Sequence, residues 1–563
     1  MAKQRRPIGL NDPLLYADHA LPHTRRDFLR QGLITGAGSV LSGGIFGLFA
    51  NPRAAYASVA SDLDALAKDI GCSLGGLGAG VSKMPFICFD LAGGANLAGS
   101  NVLVGQGGGQ MDFIGTSGYN KLGLPGDIIP GLSDTTVAAT MLNPSDGDFT
   151  NSELGLKFHS DSAMLFGIRE KFTSLATTSV GKVDGAVIPA RSSNDTGNNT
   201  HNPLYGIAKA GAAGGVVTLI GSRNSESGGN SMSPPGLVDP EIRPTKVDRP
   251  SDVTGMVDVG DLTDVLSSPQ DVTAVMEAMA RISHKKLKLA KVNPAVSPTQ
   301  DEVIKDLVRC GYLKAADIAQ RFAGVQVDPA GDGKIVDGAD PNDTSSVGIF
   351  TQAEFDGDKE FRKTASVMKM VIDGHAGAGC ISMGGYDYHT SDRQTGENRD
   401  LRAGRCIGAC LEYAAAMKQP LMIYVFSDGS LASNGGLDNT PSTGVGASLK
   451  LGGRGKGSWS GDNSSTACSF FLVYDPNANS SGSGFATLDN GLIDPHQIGR
   501  FSTGGSVVTS ATPAANNVNL LVNTVIANYM SLNGDLNQFA NRFANHGLGD
   551  YEKMVSFASI RVP

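Results

Sequence analysis

An aspartate and a histidine, Asp387 and His389, are two residues apart in the stretch GGYDYHTSDRQTGE, directly after the apolar run GCISMG. On an extended chain, residues two apart point to the same side. A carboxylate oxygen and an imidazole nitrogen placed together are suited to bind a divalent transition metal, or to act as an acid and its orienting partner in general acid–base catalysis. A hydrogen-bonded structural pair is the competing interpretation of an isolated D-x-H pair.

Polar residues also follow two other apolar runs. The run MPFICFDL contains Asp90 and leads into LAGGAN with Asn96, and PLMIYVFSDGS ends in Ser427, Asp428 and Ser430. In α/β sheets, ligands bind outside the carboxyl ends of the strands, which is where these residues are expected. The sequence therefore predicts that the polar residues of three strand ends converge on one site.

The elements that would position these residues are five short apolar runs, MPFICFDL, GVVTLIG, GCISMG, PLMIYVFSDG and SFFLVYD, each predicted to be a buried strand. Helical patterns cover about residues 271–291, 299–324, 359–377, 399–419 and 517–543. Near-continuous apolar strands that alternate with amphipathic helices are typical of a sheet covered on both faces. We therefore predict an α/β fold with a mainly parallel or mixed sheet and helices on both faces.

The N-terminal segment has the pattern of an export signal. The stretch TRRDFLR contains paired arginines and is followed by the weakly hydrophobic QGLITGAGSVLSGGIFGLFA and by NPRAAYASVA. This pattern is typical of a twin-arginine signal peptide, with cleavage after Ala57. The apolar part contains several glycines and is short for a bilayer span of about 20 residues, and no later segment approaches that length. We predict a signal peptide over residues 1–57, engagement of the twin-arginine translocase, a periplasmic or secreted product and no stable membrane span.

Composition limits the classes of partner. The chain has 563 residues, 40% of them hydrophobic and 18% charged, with a formal net charge of −9. Removal of residues 1–57 takes away seven Lys/Arg and three Asp/Glu, which leaves 39 basic and 52 acidic residues and a net charge of −13. Because there is no Lys/Arg stripe, this balance argues against nucleic acid and favours a small ligand or a protein as partner.

Residues 58–563 are predicted to form one large α/β domain with two long insertions. Residues 222–270 are rich in Ser, Gly, Pro and Asp and lack periodicity, and residues 430–466 form a second such stretch. We expect the first insertion to run over the surface. Loops of this length beside strand ends act either as a lid or as ordinary mobile insertions, and both interpretations stay open.

The cysteines are odd in number and lack C-x-x-C spacing. They are Cys72, Cys88, Cys310, Cys380, Cys406, Cys410 and Cys468. This pattern favours buried, small hydrophobic side chains over disulfides or metal ligands.

The stretch VDPAGDGKIVDGADPND places five aspartates in one loop, from Asp328 to Asp343. Clustered carboxylates with interspersed glycines are suited to bind calcium through oxygen ligands. The spacing does not fit a helix-loop-helix calcium site, and a solvated acidic loop is the alternative interpretation.

Two glycine-rich segments, GQGGGQ at 105–110 and GGRGKG at 452–457, resemble phosphate-binding loops in composition. Neither has the Gly-Lys-Ser/Thr ending that opens a helix. The second places Arg454 and Lys456 on a loop where they would meet an anionic substrate.

Three other histidines lack a clear partner in the sequence. His159 in LKFHSDSAML precedes a helix-like segment and is favoured as a packing or capping residue over a site residue. His496 and His546 lie in loop or helix-terminal contexts, and we assign them no role.

Several motifs together resemble those of exported bacterial proteins of unknown function in the alkaline-phosphatase-like, or sulfatase-like, superfamily. In chain order they are the paired arginines, GGAN after the first strand, FHSDSAML, GYDYH and FSDGS. The resemblance implies a sheet that holds one or two divalent metals through Asp and His at strand ends. A Ser or Thr nucleophile, or an activated water, then attacks a phosphate or sulfate ester. In this chain, the resemblance implies that Asp387, His389 and Asp428 are metal ligands and that Asp90 belongs to the same metal site.

The chain departs from the pattern of that superfamily at two motifs. Asn96 stands where the first motif has Asp, although Asp90 lies a few residues earlier. The final Asp-His pair is not evident, because WSGDNSSTACSFF contains Asp462 and no histidine. A site that has lost charged and imidazole ligands binds zinc less tightly, so the resemblance implies the alkaline-phosphatase-like fold more strongly than the activity.

Two functions follow from these residues. The first is a metal-assisted hydrolase of phosphate or sulfate esters that uses zinc or another divalent transition metal. In that function Asn96 orients the substrate or a water on the metal, and Ser427 or Ser430 is the nucleophile. The second is a non-catalytic binding or assembly protein of the cell envelope with a degenerate metal site. A redox protein is disfavoured, because the chain has no haem-attachment motif, clustered cysteine ligands or dinucleotide fingerprint.

Overall fold

A computed structural model describes most of the chain after residue 58. The described residues are 59–72, 83–134, 141–192, 199–258, 266, 268–290, 298–322, 325–340, 347–389, 393–441, 451–478, 485–488 and 491–560. They all belong to one compact unit. The predicted signal peptide, residues 1–57, lies outside the described residues.

The described residues form thirteen strands and twelve helices. The strands are β1 Phe86–Ala92, β2 Thr150–Leu154, β3 Leu156–His159, β4 Val183–Pro189, β5 Val217–Gly221, β6 Thr245–Lys246, β7 Ala376–Gly384, β8 Leu421–Phe426, β9 Leu431–Ala432, β10 Leu437–Asp438, β11 Lys456–Gly457, β12 Gly461–Asp462 and β13 Cys468–Tyr474. The helices are α1 Ser61–Asp69, α2 Thr116–Lys121, α3 Ala163–Lys171, α4 Leu204–Lys209, α5 Pro250–Val257, α6 Pro269–Leu289, α7 Pro298–Arg321, α8 Gln352–Gly357, α9 Lys359–Ile372, α10 Arg393–Met417, α11 Val518–Leu532 and α12 Phe539–Arg542.

Seven strands form one mixed sheet in the order β4-β13-β8-β1-β7-β5-β6. Strand β1 is central and pairs in parallel with both β7 and β8, while β5 pairs in parallel with β7 and β6. Strand β13 is antiparallel to both of its neighbours, β8 and β4. The predicted mixed α/β sheet is confirmed, and the carboxyl ends of β1, β7 and β8 lie side by side.

The side chains of β1 separate the core into two layers. Ile87, Phe89 and Leu91 belong to one apolar cluster, which also contains residues of α3, α9 and α10. Phe86 and Cys88 belong to a second cluster, which contains residues of α4 and α11. Because successive strand residues point to opposite faces, this alternation shows that helices cover both faces of the sheet, as predicted.

Helices α9 and α10 flank β7, the strand that leads to Asp387 and His389. The side chain of Asp358 caps the start of α9 by accepting a hydrogen bond from the Glu360 amide. From there Phe361, Ala365 and Met368 recur at helical spacing and are buried in the first cluster. Burial of that stripe against the sheet fixes the direction in which the chain enters β7.

The first insertion, predicted to run over the surface, instead packs in part against the sheet. Ser227, Ser231 and Ser233 are buried, and Ser231 donates hydrogen bonds to Asp90 at the end of β1. Polar composition predicted exposure, but Ser231 is buried because it satisfies a buried carboxylate, and Ser227 Oγ in turn donates to the carbonyl of Ser231. Of this insertion, residues 259–265 and 267 lie outside the described residues.

The second insertion is held by short strands over its described parts. Strand β9 pairs with β12 and β10 pairs with β11, both antiparallel. These pairs join the first part of the insertion to its last part. Residues 442–450 lie outside the described residues.

Two cysteines contradict the prediction of free thiols. Cys72, after α1, and Cys310, in α7, form a disulfide across a sequence separation of 238 residues. Helices α1, α6 and α7 share a small apolar cluster around this bond. Sequence spacing did not reveal the pair, because the helical packing alone brings the two residues together. The other five cysteines are free and buried, as predicted.

None of the helices among the described residues is long and apolar enough to cross a membrane.

Candidate metal centre

Asp387 and His389 follow the end of β7 and lie on one side of the chain, as their spacing predicts. Tyr386 and Tyr388, which alternate with them, are buried, so the aspartate and histidine side chains face outward. The Nε2 atom of His389 lies 2.7 Å from Oδ1 of Asp387. The side chains of Asp387 and His389 are 56% and 38% exposed, which leaves room for a ligand.

A third acidic residue, Asp462, completes the group. Asp462 lies on β12, where it pairs with Leu431 of β9, and its Oδ1 is 3.9 Å from Nε2 of His389. One ligand atom from each of Asp387, His389 and Asp462 lies within 4.8 Å of the others. Among the described residues, these three form the group of His, Cys and carboxylate side chains with metal-ligand spacing.

The donor set fits a divalent transition metal. Two ligands of a tetrahedral site with bonds of about 2.1 Å lie about 3.4 Å apart, which falls between the 2.7 Å and 3.9 Å of this group. One imidazole nitrogen and two carboxylate oxygens suit zinc, manganese or iron better than a soft metal. Small side-chain movements would therefore bring all three ligands to one ion.

Asn96 lies beneath this group and is buried. Its backbone N–H donates to Tyr388 Oη at 3.1 Å, and its side-chain Nδ2 donates to the carbonyl of Leu431 at 3.1 Å. Asn96 thus links Tyr388, which lies between Asp387 and His389, to Leu431, which pairs with Asp462. Its Oδ1 is buried and has no hydrogen-bond partner among the described residues.

Asp428 and Asp90 lie in a different, buried group. The carboxylate of Asp428 accepts hydrogen bonds from Gly93 N at 2.8 Å and Asn230 Nδ2 at 2.9 Å. Asp90 Oδ2 accepts from Asn230 N at 2.6 Å and Ser231 N at 2.7 Å. The four predicted metal ligands are therefore divided, and these two carboxylates bind the first insertion rather than joining His389.

Burial has the expected effect on the Asp90 carboxyl. Desolvation raises the pKa of Asp90 to about 7, Asp428 nearby acts in the same direction, and the hydrogen bonds from Ser231 and Asn230 oppose it. The first insertion must lie close to Asp90 to supply the hydrogen bonds from Asn230 and Ser231. A Cβ on Gly229 would lie 2.7 Å from Asp90 Oδ2, so a side chain there would displace the loop.

The two predicted nucleophiles are buried and hydrogen-bonded. Ser427 Oγ donates to the carbonyl of Leu91 at 2.5 Å and accepts from the amides of Gly94 and Ala95. Ser430 Oγ lies 3.1 Å from Thr466 Oγ1. The two serines are 4% and 2% exposed, and Ser427 uses its donor and both acceptor positions to hold the GGAN loop on the strand end. This placement suits a structural role better than nucleophilic attack.

Gly93 brings the GGAN loop against the β7 ligands. It has φ of +118°, and a Cβ there would lie 2.6 Å from the amide nitrogen of Asp387. Both the positive φ and this short distance exclude a residue with a side chain at this position. The loop after β1 and the D-x-H pair therefore form one packed unit.

His159 is a structural residue, as favoured from the sequence. It is buried, its Nε2 lies 2.8 Å from the carbonyl of Ile128, and its Nδ1 accepts from the amide of Asp161 at 3.0 Å. Desolvation lowers the pKa of His159 to about 4. Both ring nitrogens are used and the ring is neutral.

Sequence analysis missed His201, which supports the loop that carries Asp428. His201 Nε2 lies 2.9 Å from Ser192 Oγ, which donates to the carbonyl of Asp428 at 2.6 Å. Asn199 Nδ2 donates to the same carbonyl at 2.7 Å. No sequence signal marks these residues, because they are joined only through the backbone at the end of β8.

Lys456 of the GGRGKG segment is buried in ion pairs. Its Nζ lies 2.5 Å from Glu397 Oε1 and 2.9 Å from Asp161 Oδ2, and all three side chains are no more than 5% exposed. Arg393, at the start of α10, pairs with Glu397 at 3.0 Å. Lys456 therefore anchors the second insertion, and its predicted contact with an anionic substrate is not what the structure shows.

The aspartates of the predicted calcium loop engage separate partners. Asp332 Oδ2 lies 2.6 Å from Lys369 Nζ, and Asp328 Oδ1 caps the turn by accepting from the Ala330 amide at 2.8 Å. Asp343 lies outside the described residues. The calcium site stays a prediction without a convergent group of described ligands.

Comparison with protein-family models, curated proteins and solved structures gave no match for this chain. The resemblance to the alkaline-phosphatase-like superfamily therefore stays a prediction, and the function is argued from the site itself.

Proposed function

We propose that this protein is an exported, metal-dependent hydrolase of phosphate or sulfate esters. Asp387, His389 and Asp462 hold the metal in this proposal, and their ligand atoms within 4.8 Å of one another are the observation that carries it. When bound, a divalent metal supplies Lewis-acid stabilisation of the charge that develops on the ester oxygens. This ligand set keeps Asp387 and His389 of the earlier prediction and replaces Asp90 and Asp428 by Asp462.

The proposed substrate is anionic because a cation lies beside the ligands. A Cβ on Gly385, two residues before Asp387, would lie 2.8 Å from Cζ of Arg399, so the guanidinium packs against this turn. Arg399 makes no side-chain ion pair with a described residue, unlike the buried Arg393 on the same helix. A guanidinium is well suited to bind phosphate or sulfate oxygens through paired hydrogen bonds.

Water is the nucleophile in this proposal. The hydroxyls of Ser427 and Ser430 are buried and hydrogen-bonded, whereas Asp387 and His389 are open to solvent. Asp387 offers one carboxylate oxygen to the metal, so its second oxygen is placed to accept a proton from water. Asn96, which was predicted from the sequence to orient the substrate or a water, is buried and binds Tyr388 and Leu431 instead.

Export is proposed on two features. The paired arginines belong to the sequence pattern of residues 1–57, and the Cys72–Cys310 disulfide is independent of that pattern. Disulfides persist in oxidising compartments such as the periplasm or the extracellular space. The disulfide thus supports a periplasmic or secreted location.

A non-catalytic envelope protein is the second candidate. One observation favours it: neither predicted serine nucleophile is exposed, so the site has no side-chain nucleophile among the residues predicted for that role. In this candidate the three ligands bind a metal that orders the strand ends for a protein partner.

The test measures metal content and then activity. Mature protein purified without chelator is compared with Asp387→Ala/His389→Ala, with Asp462→Asn and with the control Asp356→Ala, which alters an exposed aspartate on α8. Elemental analysis by plasma mass spectrometry is expected to find zinc, manganese or iron near one equivalent in the wild type and the control, and a loss in both site variants. An equal content in all four proteins would contradict the proposed ligand set.

Activity then separates the two candidates. The hydrolase predicts release of p-nitrophenol from its phosphate or sulfate ester by the metal-loaded wild type and its loss in both site variants. Metal binding that needs these residues, without hydrolysis of either ester, would instead support the envelope-binding candidate.

A further inference from the structure

A cavity of about 270 Å³ lies beside β4, the edge strand of the main sheet. The GQGGGQ segment forms part of its wall, and the chain around Asp494 and Arg500 forms another part. Gln497 holds these two segments together: its Oε1 accepts from the amide of Gly105 at 2.7 Å and its Nε2 donates to the carbonyl of Gly105 at 3.1 Å. The cavity is therefore built by fixed backbone contacts.

Arg500 supplies an unpaired positive charge to this cavity. Its guanidinium makes no hydrogen bond or ion pair with any residue that the structure describes, and its Nη1 lies 3.5 Å from where a Cβ of Gly107 would be. Because Gly107 has no side chain, the guanidinium stays open to the cavity. Lys553 is the second cation of the wall, and its ion pair with Asp550 is exposed and hence weak.

Thr512 adds a hydroxyl without a partner. Its Oγ1 is buried and makes no hydrogen bond with a described residue, although Thr512 stands at the N-cap of the short 3-10 helix Pro513–Asn516. A buried polar group without a partner is unfavourable, so rotation of the Thr512 side chain toward a ligand oxygen in the cavity would be favoured.

Asp494 is the one acidic residue among the described residues of the wall, and it is already engaged. Asp494 Oδ1 lies 2.8 Å from Nδ1 of His496, and its Oδ2 accepts from the Gln110 amide at 2.9 Å. The other ring nitrogen of His496 lies 3.1 Å from Asp184 Oδ1. The negative charge of Asp494 is thereby offset in part by the His496 ring and the Gln110 amide, and two cations of the wall, Arg500 and Lys553, face this one carboxylate.

We propose that this cavity binds a small phosphorylated ligand, with its phosphate between Arg500, Lys553 and the hydroxyl of Thr512. A guanidinium presents paired donors that match phosphate oxygens. The volume is just below the range of about 300 to 1,000 Å³ typical of ligand pockets, so the ligand is inorganic phosphate or the phosphomonoester of a short sugar. This site uses none of the proposed metal ligands and does not depend on the hydrolase proposal.

The experiment is isothermal titration of metal-free, EDTA-treated full-length mature protein with inorganic phosphate, ribose 5-phosphate and ribose. Removal of metal matters, because a metal at Asp387 and His389 would itself bind phosphate. We expect phosphate or ribose 5-phosphate to bind to the wild type, Arg500→Gln to weaken that binding about tenfold or more, and Thr512→Val to weaken it severalfold. Affinity of ribose 5-phosphate above that of phosphate would identify a phosphomonoester, and the reverse would identify free phosphate.

The controls keep the outcome interpretable. Arg249→Gln removes an exposed arginine that pairs with Asp252 on α5 and is expected to leave binding unchanged. Asp387→Ala/His389→Ala is expected to retain binding. Equal affinity of Arg500→Gln and wild type, loss of binding in the double variant, equal binding of ribose, or no binding at millimolar phosphate would each overturn the proposal. Because the Arg500 side chain has no partner among the described residues, an unchanged melting temperature is expected for Arg500→Gln.

Discussion

His496 is expected to make the stability of this protein depend on pH between about 6.5 and 9. Its ring joins two carboxylates, with Nε2 3.1 Å from Asp184 and Nδ1 2.8 Å from Asp494. Burial alone would lower the pKa of His496, but the hydrogen bonds to the two aspartates outweigh it and raise the pKa to about 9. The folded protein therefore binds this proton more tightly than the unfolded chain does.

The sign and size follow from that difference. The stabilisation is fully present below the unfolded pKa of about 6.5 and is lost as the pH rises through 9. One pKa unit corresponds to about 1.36 kcal/mol, so the shift corresponds to at most about 3.4 kcal/mol. Since the His496 side chain is 31% exposed, solvent screening reduces this to roughly 1 to 2 kcal/mol.

The assay compares urea unfolding of the wild type and His496→Gln at pH 6 and pH 10. Other groups also titrate in this interval, but their contributions cancel in the difference between the two proteins. We expect the substitution to cost roughly 1 to 2 kcal/mol more at pH 6 than at pH 10. The matched control is His546→Gln, because no carboxylate among the described residues pairs with His546, and its cost is expected to change much less. A cost of His496→Gln that is the same at both pH values would refute the reasoning.

Three further predictions concern the site and its support. Asp462→Asn is expected to lower metal affinity at least about tenfold because it removes one of three charged or imidazole ligands, and competition with a chelator measures this; unchanged affinity would exclude Asp462 as a ligand. Arg399→Gln is expected to raise KM for a phosphate or sulfate ester about tenfold with little change in kcat, whereas a loss confined to kcat would contradict a substrate-binding role. Lys456→Met is expected to destabilise the fold by roughly 1 to 3 kcal/mol, because Glu397 and Asp161 lose their shared buried cation and keep only Arg393 and Arg454; a melting temperature equal to that of the wild type would show that the network is dispensable.

The strands that were predicted correctly from the sequence are those formed by an uninterrupted run of apolar residues. Five such runs became β1, β5, β7, β8 and β13 of the main sheet. Strand β4, VDGAVIP, was missed because Asp184 and Gly185 interrupt its apolar run. Asp184 is tolerated inside that strand because it accepts from the amide of Gly185 at 2.8 Å and pairs with His496, a contact that depends on tertiary structure.

The candidate site was predictable only where its residues are close in sequence. Asp387 and His389 share a side because residues two apart on an extended chain must do so. Asp462 joins them through β9 and β12, strands of two residues each that have no recognisable pattern in the sequence. The position of Ser427 after β8 was predicted correctly, but the direction of its hydroxyl depends on the loop after β1, which the sequence does not specify.

The two groups of carboxylates at the strand ends differ in depth, and this explains their different roles. Asp90 and Asp428 are buried, and their hydrogen bonds fix the loop after β1 and the first insertion. Burial and the proximity of Asp428 raise the pKa of Asp90 to about 7, so near neutral pH the inner pair carries less than its full negative charge. A cation would therefore be attracted mainly to the outer Asp387 and Asp462, which are exposed. Gly93 packs on the backbone amide of Asp387. The loop that Asp90 and Asp428 fix therefore also positions the exposed ligands, as residues that contact the ligands do in other metal sites.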